Sequence, residues 1–150
     1  MFFLITYLTS IAAKFYFYAP MFGQDDYVLG AGADNLLRWG ALNEVVLVAA
    51  NIASAVVIFP VLKRQSEALA FGFVTARVME SMFISVGILS VLTIVTLRQD
   101  LSGAAGAEGA ALATVGTALV TLQEWTFNLG PGFVVGVGNG CILGLSLIHI

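Results

Sequence analysis

The chain is 150 residues long, 59% hydrophobic and only 10% charged, whereas soluble domains carry about 25% charged residues, so an ordinary water-soluble globule is excluded. Its net charge of −3 lacks the basic face of an electrostatic nucleic-acid binder, and no nucleic acid is expected as a partner. One cysteine, Cys141, and one histidine, His149, leave zinc sites, Cys-His dyads and histidine-based triads without their parts, so neither a metal nor a cofactor is implied.

In chain order, hydrophobic segments are predicted at residues 1–22, 36–62, 68–97, 109–128 and 131–150, against a requirement of ~20 residues for a membrane-spanning helix. The expected fold class is all-α: a polytopic transmembrane helix bundle of five helices, forming one integral membrane domain over residues 1–150 with the lipid bilayer as its partner. Strands of a membrane barrel would alternate polar and apolar residues, and these segments do not. The first has no basic n-region and no small-residue cleavage site, which argues against a signal peptide.

The connections carry turn chemistry. An acidic, glycine-rich loop precedes Asp34, which is placed to cap the second helix. Pro60 falls near that helix's end, residues 63–67 form a tight polar turn, residues 98–103 open a longer loop, and Leu129-Gly130-Pro131-Gly132 reads as a short turn making a hairpin of the last two helices. Lys63 and Arg64 in the second loop, against Arg98 in the third, favour a cytoplasmic N-terminus; counting Lys14 and Arg38 inside the flanking helices would reverse the tally.

Charges within apolar segments are expensive, about 2.5–3.5 kcal/mol each near the bilayer centre, and so demand a partner or a purpose. Arg77 and Glu80 lie three residues apart on one helical face, ~9 Å and ~4.5 Å from the midpoint of their segment at 1.5 Å per residue. Glu44 and Asn51, seven apart, share a stripe of the second helix with Ser54 nearby, and Glu44 is expected to meet Arg77 or Arg38. Two readings of this cluster stand side by side: a site for a charged solute or proton, and an ion pair that fixes helix packing. Glu124 and Trp125 close the fourth helix as an interfacial anchor, or add Glu124 to the Arg77 cluster.

The last segment repeats glycine at every fourth position: Gly132, Gly136, Gly140 and Gly144. Such a groove lets another helix approach closely, either the fourth helix of the same chain or a second copy in a homo-oligomer. Neither Gly30-Ala31-Gly32 nor Gly136-Val137-Gly138 completes G-x-G-x-x-G, since Asn35 and Cys141 stand at the third glycine position. Residues 145–150 match the translation of a sequencing-library adaptor, so a longer native chain is expected, with those six residues foreign to it.

The stretch Ala33-Asp34-Asn35-Leu36-Leu37-Arg38-Trp39-Gly40, the run from Asn51 to Val61-Leu62, the segment Ala76-Arg77-Val78-Met79-Glu80, and Trp125 through Phe133 resemble a bacterial multi-pass membrane family known as domain of unknown function 4386. The resemblance covers most of residues 34–140 and implies the inner membrane as location; Arg38, Arg77, Glu80 and Trp125 match its pattern without an assigned role. The functional expectation is a small transporter or sensor built on the Arg/Glu cluster, with a structural or assembly subunit packing through the glycine groove as the alternative. No nucleophile or metal constellation supports an enzyme.

Overall fold

The computed structural model describes residues 8, 13–19, 34–100 and 107–140. Among them every regular element is helical. A short π-helix, π1, covers Ala13–Phe17. Three α-helices follow, α1 at Asp34–Gln65, α2 at Glu67–Asp100 and α3 at Ala107–Phe127, and a second π-helix, π2, covers Asn128–Asn139.

Helices α1 and α2, 32 and 34 residues long, are both long and apolar enough to cross a bilayer. They form an antiparallel hairpin about Ser66, which caps α2: its hydroxyl accepts from Leu69 N at 3.5 Å and its carbonyl from Ala70 N at 3.1 Å. At the open end Arg98 pairs with Asp34 at 2.5 Å, and Arg38 donates to Gln99 Oε1 at 3.0 Å. Pro60 lies inside α1 near its end at Gln65, on the exposed side.

The side-chain distribution of α1 is inverted relative to a soluble helix. Its buried stripe, at three- and four-residue spacing, includes the small or polar residues Gly40, Ala41, Glu44, Ala50, Asn51 and Ser54. Its exposed face carries Trp39, Val45, Ile52, Val56 and Val61. Helix α2 repeats the pattern, with Arg77, Glu80, Ser81 and Ser90 buried while Phe71, Met82 and Leu89 are exposed. Three apolar clusters hold the bundle together, centred on Leu37 with Ile94, on Leu47 with Ile84, and on Leu62 with Phe73.

Two sequence expectations change here. Residues 129–132 are not a turn: α3 passes without a break into π2, which has Pro131 inside it. The close approach in this region occurs at Gly130, where an added Cβ would stand 3.0 Å from Phe83 Cβ on α2. Among the described residues an added Cβ would meet nothing within 4 Å at Gly136 and Gly140, and at Gly132 only a carbonyl of its own helix. Gly144 and the six-residue tail lie outside the described residues.

Candidate functional site

Two buried polar clusters occupy the interior, about two helical turns apart along α1, at Glu44 and Asn51. The first joins the middles of α1 and α2. Arg77 Nη1 donates to Glu80 Oε2 at 2.7 Å and to Asn51 Oδ1 at 3.0 Å, and both charged side chains are nearly inaccessible, at 2% and 3% exposure. The i,i+3 spacing on α2 brings the charges together within one turn, and Asn51 closes the cluster from α1. The guanidinium also lies 5.6 Å from the centroid of the Phe73 ring.

The second cluster is built around Glu44. Its Oε2 accepts from the Tyr18 hydroxyl at 2.8 Å and its Oε1 lies 3.5 Å from Gln123 Nε2. Thr126, one turn further on α3, donates to Gln123 Oε1 at 3.1 Å. Two glycines provide the space. A Cβ at Gly40 would fall 2.6 Å from Tyr18 Cε1, and one at Gly87 would run into Gln123 Oε1. Both donors to Glu44 thus sit in hollows over glycine, which is how the first segment and α3 approach the α1–α2 hairpin closely enough to reach the carboxylate.

The residues singled out from the sequence therefore divide. Arg77, Glu80 and Asn51 come together. Glu44 lies on the same stripe of α1 but bonds to Tyr18 and Gln123 in place of the expected Arg77 or Arg38. Arg38 is exposed and turns to Gln99 at the hairpin's open end. Glu124 and Trp125 also face outward, so Glu124 does not join the Arg77 cluster; its inward neighbour Gln123 reaches the polar interior. Tyr18, Gln123 and Thr126 were not among the expected site residues. Isolated glycines within apolar helical runs, at positions 40 and 87, are the sequence signal that points to them.

Among the described residues no group of three or more His, Cys, Asp and Glu side chains is arranged to hold a metal ion. What the arrangement offers chemically is an ion pair and a second carboxylate, screened from solvent and reached by amide, phenol and hydroxyl groups.

An all-helical protein with two long apolar helices and a charged interior is the class that this fold and site define. A family model described as domain of unknown function, DUF4386, matches residues 1–149, and the chain belongs to that family. The matched span takes in all but the last residue of the 145–150 tail. No curated protein and no solved structure matches the chain.

Proposed function

We propose that the protein is a multi-pass membrane protein of the bacterial inner membrane, with its N-terminus in the cytoplasm, and that its buried Arg77, Glu80, Asn51 and Glu44 form the site through which it moves or senses a proton or a small charged solute. The observation that carries this reading is the inverted side-chain distribution of α1 and α2: large apolar residues face outward and the charged residues face inward. Outward apolar surface on this scale suits lipid and is unfavourable in water. Ionisable groups at membrane depth mark pathways and relays, since each costs several kcal/mol unless paired or used.

The test is reconstitution of the full chain into liposomes containing a pH-sensitive dye, with a proton gradient imposed across the membrane. Proton flux through the wild-type protein that falls at least tenfold in Glu80→Gln and in the Arg77→Gln/Glu80→Gln double variant supports the reading. Flux equal to protein-free liposomes, or unchanged in folded variants, removes the proton form of it.

A second reading, a structural or assembly subunit, is favoured by the open space at Gly136 and Gly140. Small residues on a helix face that no described residue covers suit a second copy of the chain. A dimer in lipid nanodiscs that dissociates on Gly136→Leu supports this reading, and a monomer unaffected by that change rejects it.

A further inference from the structure

A groove of about 400 Å³ lies between α1 and α2 in the half of the hairpin nearest the Ser66 turn. Ile52, Val56 and Phe59 line it from α1, and Phe71, Val74 and Val78 line it from α2. Its inner end is closed by Arg77, whose charge is turned away toward Glu80 and Asn51. The walls are otherwise apolar, and Val56 and Phe71 are 67% and 57% exposed.

The outer end differs in kind. Helical spacing of three and four residues places Ile52, Ala55, Phe59 and Lys63 on one ridge of α1 and Ile52, Val56, Pro60 and Arg64 on the adjacent ridge. Both ridges that wall the groove therefore end, at the turn, in a cation. The Lys63 ammonium stands 5.9 Å from the centroid of the Phe59 ring and 3.3 Å from Glu67, and the Phe59 and Phe71 rings meet edge to face at 5.8 Å across the groove's mouth. Arg64 is exposed and forms no ion pair among the described residues. From Arg64 to Ile52 the rise along α1 is about 18 Å, close to the roughly 15 Å of one leaflet's hydrocarbon.

We infer that this groove binds an anionic phospholipid, with one acyl chain lying along Phe59, Val56 and Val74 and the phosphate between Lys63 and Arg64. An apolar trough one leaflet deep, open to the outside and ended by Arg64 and by Lys63 with its partner Glu67, a net charge of one positive unit, matches a molecule with a long apolar tail and a negative head. A neutral headgroup would forgo the attraction of juxtamembrane cations for anionic lipid. A free fatty acid would also satisfy the tail, and a second copy of the chain would cover the groove; the experiment separates these from phospholipid.

The inference rests on the membrane reading above, so the first measurement is carbonate extraction of membranes expressing the full chain. Protein released into the aqueous phase overturns the membrane reading and the lipid site with it. Membrane-retained protein is then purified in detergent with equal amounts of phosphatidylglycerol and phosphatidylcholine, and the bound lipid is read by native mass spectrometry. The expected result is one phosphatidylglycerol per chain, preferred about thirty-fold over phosphatidylcholine, with that preference lost in Lys63→Gln/Arg64→Gln. Val56→Trp, a change at an exposed position that fills the groove, loses the bound lipid while the protein stays folded by circular dichroism. Equal retention of the two lipids by the wild type, an adduct of fatty-acid mass, a dimer in place of an adduct, or binding that survives both variants overturns the lipid site while leaving the membrane reading intact.

Discussion

Tyr18 reaches Glu44 because position 40, one turn earlier on α1, has no side chain. The Tyr18 hydroxyl donates to Glu44 Oε2 at 2.8 Å, while its ring edge occupies the space where a Cβ on residue 40 would stand 2.6 Å from Cε1. Phe17 Cβ is equally close, at 2.8 Å, and cannot swing aside as the end of a long side chain would. Residues 17 and 18 are thus held against α1 by a glycine and a buried carboxylate acting together.

Gly40→Ala is therefore expected to destabilise the protein by about 1–3 kcal/mol, the usual cost of overpacking a fixed contact. Tyr18→Phe removes the hydroxyl donor and leaves Glu44 with the longer Gln123 contact, a loss of about 1–3 kcal/mol for a hydrogen bond to a buried carboxylate. Thermal unfolding of detergent-solubilised protein checks both. Because both changes disturb the same contact, the double variant should lose less than the two single losses added together; full additivity would show that Gly40 and the Tyr18–Glu44 bond are independent.

Gly87 and Gly132 make a matched pair of substitutions with opposite outcomes. A Cβ at Gly87 would collide with Gln123 Oε1 and stand 2.9 Å from Thr126 Oγ1, and Gln123 is fixed between Thr126 and Glu44. Gly87→Ala should lower the unfolding midpoint, by about 1–3 kcal/mol of stability. At Gly132 an added Cβ meets only Phe127 O, at 3.9 Å. Gly132→Ala should be neutral or stabilise by up to about 1 kcal/mol through reduced backbone freedom in the unfolded chain. The same thermal assay reads both, and a Gly87→Ala protein as stable as the wild type would refute the close approach of α3.

Part of this interior was legible in the sequence, and the reason lies in contrast. Arg77 and Glu80 stand out because charge is conspicuous in an apolar run, and their three-residue spacing fixes them on one face. Asn51 falls on the buried stripe for the same reason of helical period. Gln123 is harder to find, because it precedes Glu124 and Trp125, which carry the stronger sequence signal yet face outward; a rotation of 100° per residue separates an inward neighbour from an outward one. Tyr18 follows Phe15, Tyr16 and Phe17 with nothing to set it apart from them, and its partner lies 26 residues away, a pairing that no local pattern encodes. The glycine repeat shows the reverse error: Gly132, Gly136 and Gly140 have the more regular spacing, but the close approaches occur at the isolated Gly40 and Gly87 and at Gly130, outside the repeat.

The ion pair at the open end of the hairpin should matter less than the buried one. Arg98 and Asp34 are 8% and 27% exposed, so the pair is partly screened, and Arg98 lies in the last turn of α2 while Asp34 begins α1, where each also complements its helix dipole. Asp34→Asn should cost about 1 kcal/mol or less. Thermal unfolding in 0.05 M and 1 M salt should show a wild-type advantage that shrinks at high salt; a loss of several kcal/mol would mean that this pair, and not the interior clusters, holds the hairpin closed.

Arg77 and Glu80 give the most discriminating measurement, because a buried pair responds to its single and double variants differently. Their charges lie 2.7 Å apart at 2% and 3% exposure, so removing either one takes from the other the counter-charge at 2.7 Å. Each single variant, Arg77→Gln and Glu80→Gln, is expected to lose about 3–5 kcal/mol. The double variant removes both desolvation penalties and keeps hydrogen-bonding amides beside Asn51, so its stability should return to within about 1–2 kcal/mol of the wild type. Stability measured on all four proteins closes the cycle. If the double variant is well folded yet inactive in the liposome assay, the pair is retained for what it does rather than for what it holds together. If instead the double variant loses as much stability as the two single variants combined, each side chain makes its own packing contribution and the two charges are not coupled.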